Sequence, residues 1–321
     1  MLRLLSLLLF SVSCFGQDLP ALQFADSAPA DLLATRSAVL YSSDVSLAEL
    51  TEFQQGFQQI GIDAVVYFEM AKVFSGKDPA RMYADYLNKR QIKYLVLLQK
   101  QNSEYQFVAT LFNGKPAFVE PSQAAWRVRG MKIYDMLQQI YRDSWLVQKK
   151  QNFLINDIPE MPGGLNMITG RRAEFFALDL KVDNLAVPKT GDEAIDRELE
   201  QLFAAYYPYK YKLVEANYDE NESRKLGFHY VLTYVKTSGR AARELLGYDM
   251  TKAESAYASV TWPNGSSQVK TIAADKLVYK FYFKHIESGN VFLGTRWDAD
   301  ETYIQALKNH LMGFRAELRL N

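Results

Sequence analysis

The stretch from Tyr279 to Phe314 constrains this chain most. Tyr279-Lys-Phe-Tyr-Phe-Lys-His-Ile286 alternates like a strand, Glu287-Ser-Gly-Asn290 turns, and Val291-Phe-Leu-Gly-Thr-Arg-Trp297 returns. Ile304, Leu307, Leu311 and Phe314 then recur at helical spacing. The same order recurs in weaker form from Tyr105 to Tyr141. Tyr105-Gln-Phe-Val-Ala lies over Tyr279-Lys-Phe-Tyr-Phe, Lys93-Tyr-Leu-Val-Leu97 over His229-Tyr-Val-Leu-Thr233, and Asn113-Gly-Lys115 over Ser288-Gly-Asn290. Inward positions coincide, Tyr105, Phe107, Ala109 and Leu111 matching Tyr279, Phe281, Phe283 and His285. A slip of one residue would have exchanged the faces. The chain therefore reads as an internal duplication.

Each copy has room for more than the hairpin and helix. In the first, Arg36 to Ser43 predicts a strand. Ser46 and Glu49 form a capping box for a helix carrying Leu50, Phe53, Phe57 and Ile60, which Gly61 ends. Ile62 to Phe68 predicts a strand, Asp78-Pro79 to about Arg90 a helix, and Ile92 to Gln99 a central strand. After the Tyr105–Phe112 strand, Asn113-Gly114 predicts a tight hairpin returning at Ala117–Val119, and Ala124 to Trp145 a helix. In the second copy, Glu174–Val182 predicts a strand, Asp192–Tyr206 a helix, Tyr209–Ala216 a strand, Glu220–Leu226 a short helix and Phe228–Lys236 the central strand. The expected fold is α/β (α+β), two β-α-β-α-β-β-β-α units, each a mixed sheet with helices packed on it. The expected divisions are a signal peptide at 1–16, a tether at 17–35, units at 36–145 and 174–321, and a Pro/Gly-containing linker at 146–173.

The run Leu226-Gly-Phe-His-Tyr-Val-Leu-Thr233 and the hairpin that follows resemble the amino-terminal domain of TolB. They are also similar to the periplasmic domains of curli-secretion-channel and penicillin-binding-protein-activator lipoproteins. The resemblance covers each unit and rests on structural motifs. It implies a protein that binds partners in the envelope and is not an enzyme. Those families carry a single copy, and no β-propeller repeats follow here.

The amino-terminal residues fit export. Arg3 precedes the apolar run Leu4–Phe10, too short to span a bilayer. Cleavage after Gly16 would place small residues, Cys14 and Gly16, at the key positions. The alternative is a lipobox at Val12-Ser-Cys14 with a lipid anchor on Cys14, although Ser11 stands where Leu is usual. The expected location is periplasmic or secreted, or the outer membrane if Cys14 is lipidated. Cys14 is the only cysteine, so no disulfide is expected. No later stretch suits a membrane span. Lys+Arg and Asp+Glu are 37 each, which offers nothing to attract nucleic acid.

No catalytic, cofactor or metal constellation is apparent. His229, His285 and His310 are far apart on different elements, and a packed or edge role is expected for His285 and His310. Asp298-Ala-Asp300-Glu301 reads as a capping box for the last helix. Pro162 to Gly170 lacks the Gly-Lys-Ser/Thr of a phosphate loop, and there is no Gly-x-Ser-x-Gly. The two copies differ chiefly by an insertion at 237–278. It holds a short helical run, Arg240–Leu246, and two strands flanking Pro263-Asn264-Gly265. Its strands either extend the sheet or present a surface. On the second reading Arg240, Arg243 and Trp262, expected near the tip, are the partner-binding candidates, because Arg and Trp dominate binding energies. The expected function is binding to another envelope protein in an assembly or scaffold role. The alternatives are an exported hydrolase with its site at the domain junction and a small-ligand binder in the inter-domain crevice.

Overall fold

The computed structural model describes residues 19–148, 155, 156, 158–160, 165–252 and 254–319. The signal segment, Cys14 and most of the linker lie outside the described residues. The chain divides into two compact units, 19–74 with 78–165, and 75–77 with 166–319. Both are mixed α/β units with helices packed on a six-stranded sheet.

The first unit runs β1 (Gln23–Ala25), a 3-10 turn at Leu32–Ala34, β2 (Arg36–Tyr41), α1 (Leu47–Ile60), β3 (Asp63–Glu69), α2 (Met70–Val73), α3 (Lys77–Lys89), β4 (Tyr94–Gln101), β5 (Glu104–Leu111), β6 (Ala124–Gly130) and α4 (Ile133–Val147). Its sheet order is β1-β6-β5-β4-β2-β3. The capping box forms as read: Glu49 accepts from the Ser46 N–H at 2.8 Å, and the Ser46 hydroxyl accepts from the Glu49 N–H. Gly61 closes α1 in the left-handed conformation, φ 91°. One core, with Phe53, Phe57, Phe107 and Trp126, lies between the sheet and α1 with α4. A second, with Phe68, Phe74, Tyr83 and Phe118, fills the opposite face under α2 and α3.

The second unit runs β7 (Arg172–Ala173), a 3-10 turn at Leu178–Lys181, β8 (Asn184–Pro188), α5 (Glu193–Tyr206), β9 (Tyr211–Val214), α6 (Glu220–Lys225), β10 (Phe228–Ser238), α7 (Gly239–Leu245), β11 (Ala256–Thr261), β12 (Gln268–Ala273), β13 (Leu277–His285), β14 (Val291–Phe292) and α8 (Tyr303–Glu317). Its sheet order, β7-β14-β13-β10-β8-β9, repeats the first with every parallel and antiparallel pairing kept. Phe203, Phe283, Leu307 and Phe314 form the core under α5 and α8.

Pairing registers align the copies residue by residue. Tyr94 faces Leu111 and Lys100 faces Tyr105; Tyr230 faces His285 and Lys236 faces Tyr279. Each of these lysines also lies over its tyrosine ring, at 5.5 and 5.6 Å. The same logic extends further back. Ala25 and Ala173 pair with Trp126 and Phe292, and Ser37 and Leu185 pair with Tyr94 and Tyr230. Residues 24–38 therefore match 172–186 without a gap, bringing Asp31-Leu32 onto Asp179-Leu180.

Several sequence expectations are corrected. Residues 17–35 are not a bare tether where described: Leu19, Leu22, Leu32 and Leu33 are buried, and β1 joins the sheet. Their apolar anchors are too scattered to show a period. Within residues 174–182, Leu178–Lys181 form a 3-10 turn with only Leu180 of that turn buried, and the strand begins at Asn184. The first-copy return strand is not Ala117–Val119 but β6, read as the start of a helix because of Ala124-Ala125. Buried Trp126 and Val128 alternate with Arg127 and Arg129, a period of two that only a strand satisfies. The insertion strands neither extend the large sheet nor hang free. β11 and β12 form a separate two-stranded sheet.

Candidate functional site in the second unit

β14 stays beside β13 for only two residue pairs, Phe283 with Phe292 and Lys284 with Val291. The chain then leaves the sheet and touches it again at Asp300, opposite Tyr279. Lys280 occupies the gap. Its ammonium donates to the Phe281 carbonyl at 3.0 Å and the Leu293 carbonyl at 2.7 Å. It also stands 2.7 Å from Asp298 Oδ1, an ion pair that misses the angle of a good hydrogen bond. Asp298 Oδ2 lies 3.0 Å from His310 Nδ1 of α8. Lys280, Asp298 and His310 are all buried.

Isolated charges at such depth would be prohibitive, and pairing offsets that cost. Burial raises the Asp298 pKa, but Lys280 and then His310 outweigh it and hold the carboxyl below its usual value. Burial pushes Lys280 and His310 down, against the pull of Asp298. The His310 ring packs against Phe176 and Phe283, at 5.1 and 5.0 Å, and Nε2 has no hydrogen-bond partner. An Asp–His pair in catalysis needs a nucleophile on the outer nitrogen. Here aromatic rings crowd the imidazole, so the pair is suited to structure.

Asp298 is not the helix cap expected from sequence. Thr302 caps α8, its hydroxyl accepting from the Gln305 N–H at 3.3 Å. Asn309 joins the insertion to α8. Its carbonyl oxygen accepts from the Trp262 N–H at 3.1 Å, the Thr261 hydroxyl at 3.0 Å and Gln305 at 2.7 Å, while its amide donates to the Asp298 carbonyl at 3.3 Å. The Val260 N–H donates to the Trp297 carbonyl at 2.8 Å. A cavity of about 110 Å³ remains beside Asp298, Trp262, Gly313 and Glu317.

The structure separates the three partner-binding candidates. Arg240 is exposed on α7. Arg243 is half-buried, its guanidinium 4.5 Å from the Tyr257 ring centre, 5.1 Å from Tyr248 and 5.6 Å from Trp297. Trp262 is only 5% exposed, because Asn309 and α8 draw the end of β11 inward. The tip is the turn after it, with Gly265 at φ 83°.

A second opening is wider. A cleft of about 740 Å³ is lined by Phe175, Leu178, Asp179, Tyr230, His285, Phe292 and Glu317, among others. Phe175 and Leu178 are 62% and 66% exposed at its side. His285 Nδ1 lies 2.9 Å from the Ser288 hydroxyl. Glu317 accepts from the Phe176 N–H at 2.6 Å and the Thr295 N–H at 3.2 Å. Sequence reasoning missed this cleft, since its lining comes from four separate stretches; the adjacent Phe175-Phe176 was the one local signal. Among the described residues, no group of three His, Cys, Asp or Glu is placed to hold a metal, and no helix is long and apolar enough to cross a membrane. No protein-family model and no curated protein matches the chain.

Proposed function

We propose that the chain is an exported, non-enzymatic protein that binds another envelope protein, and that the cleft of the second unit receives the partner. The observation that carries this reading is the pair of exposed apolar side chains, Phe175 and Leu178, beside a cleft with further aromatic lining. Exposed apolar patches beside a groove mark interaction sites. The enclosed state of the Asp298–His310 pair agrees with a binding role. Arg240, exposed on α7, is a secondary contact candidate, whereas Arg243 and Trp262 serve the packing of the insertion. The test places a photoreactive phenylalanine analogue at 175, with Tyr134 of the first unit as the control position. The expected result is one protein adduct from 175 that is also recovered when the partner is the bait. Adducts of equal yield from 134, or none from 175, would overturn the reading.

A further inference from the structure

The two units carry the same constellation in two states. In the first unit Asp31 is clasped: the Tyr94 hydroxyl donates to Oδ1 at 2.6 Å and the Lys93 ammonium pairs with Oδ2. The structural alignment places Asp179 on Asp31, Tyr230 on Tyr94 and His229 on Lys93. In the second unit the clasp is open. Asp179 has no side-chain hydrogen bond or ion pair among the described residues; only its backbone carbonyl is engaged, by the Val182 and Asp183 N–H groups. His229 is turned to another carboxylate, with Nδ1 3.8 Å from Asp183 Oδ1. Tyr230 is 2% exposed and lines the cleft, and its hydroxyl has no hydrogen-bond partner among the described residues. Burial, then the charges of Asp179 and Asp183, push its phenol up to about 12. The phenol thus stays a neutral donor at physiological pH.

The cleft lining holds two carboxylates, Asp179 and Glu317, and no lysine or arginine. Glu317 already serves two backbone N–H groups, which leaves Asp179 as the free acceptor. We infer that the cleft binds a lysine side chain of the partner, whose ammonium takes on Asp179 the place that Lys93 takes on Asp31. The lysine is flanked by apolar residues. Phe175, Leu178 and Phe292 receive those neighbours and the methylene stem, as apolar surface does for other lysine stems. The Tyr230 hydroxyl then donates to the carboxylate as Tyr94 does, completing the clasp across the interface. This deepens the proposed function and rests on it.

The probe is acetyl-Leu-Lys-Phe-amide, titrated calorimetrically against the whole protein. Acetyl-Leu-norleucine-Phe-amide keeps the stem and removes the charge, and acetyl-Leu-Glu-Phe-amide reverses it. The lysine peptide should bind at least about tenfold tighter than either, the scale of one charge-assisted hydrogen bond. Asp179→Asn should remove that preference, while Asp31→Asn leaves it intact. His229→Lys installs the internal ammonium of the first unit and should block the peptide. Asp179 is exposed, so its variant keeps the result readable if His229→Lys misfolds. Equal binding of lysine and norleucine peptides, or an undiminished preference in Asp179→Asn, overturns the inference. A protein adduct at position 175 together with no lysine preference leaves the partner-binding reading standing and removes this one.

Discussion

β6 of the first unit pairs with β5 from Thr110 to Tyr105, whereas β14 of the second meets β13 over two residues and departs. The positions are equivalent, so the difference isolates what replaces a lost ladder. In the first unit Gln106 sits at the position of Lys280, bonded to Gln99 and Arg129 side chains. In the second, the Lys280 ammonium meets two carbonyls near the break, and Asp298 neutralises it. An unsatisfied buried carbonyl costs about 1–3 kcal/mol. A lysine can satisfy two, provided that a carboxylate follows it inside. The two similar units thus differ in one strand pairing and, with it, in the charge of the core.

The largest expected effect breaks this arrangement. Asp298→Ala strands Lys280 and should cost the second unit about 3–5 kcal/mol. Gln106→Ala, at the first-unit position that Lys280 takes in the second, should stay within about 0.5 kcal/mol. Calorimetry with hydrogen exchange to assign each transition measures both. Equal losses would mean that the charge cluster does not hold the break.

The clasp gives the next contrast. Tyr94→Phe removes a hydrogen bond to a carboxylate and should destabilise the first unit by about 1.5–3 kcal/mol. Tyr230→Phe removes a hydroxyl without a hydrogen-bond partner among the described residues and should change the second by less than about 0.5 kcal/mol. Urea unfolding of each variant is sufficient. A large loss from Tyr230→Phe would show that the second clasp closes in solution.

Helix caps should behave alike in both copies. Ser46 caps α1 and Asp192 caps α5. Their alanine variants should each cost about 1 kcal/mol, confined to their own unit.

Acid should separate the units gently. All three histidines belong to the second unit. His310 has a folded pKa below its ordinary 6.5, so the unfolded chain takes up its proton first. Stability contributed by neutral His310 is therefore full above about pH 6.5 and declines as pH falls below it. For Glu49 of the first unit, burial raises the pKa, but bonds from Lys100, Tyr105 and Ser46 carry it down to about 2. Its contribution is full above the usual glutamate value of 4.5 and fades as pH falls toward about 2. Hydrogen exchange at pH 7, 6 and 5 should show the second unit loosening first.

The frame of each unit was legible because its signals were periodic or capped. The central strands, the alternation of Tyr105 through Ala109, and the Ser46–Glu49 box all reappear with the predicted inward faces. Elements without local periodicity were not legible. β1 and β7 have three and two residues, and β6 hid behind two alanines. The charge cluster was concealed by a competing local pattern, since Asp298 and Glu301 stand at capping-box spacing. Lys280 amid an apolar strand and His310 within the Leu307–Leu311–Phe314 stripe were the available clue. Charged groups on inward faces must find one another. The cleft needed the fold itself.

β1 bears on how the protein must be handled. It runs parallel to β6, with Gln23, Phe24 and Ala25 opposite Ala124, Ala125 and Trp126. A chain begun at Arg36 would lose the buried Leu19, Leu22, Leu32 and Leu33 and the Asp31 carboxylate that Tyr94 bonds, and would uncover a seven-residue strand holding Trp126 and Val128. Bare edges of that kind recruit strands from other molecules. The few residues before the first long strand thus guard against self-association as well as filling the core, and their removal would be felt as precipitation on top of a lower melting point.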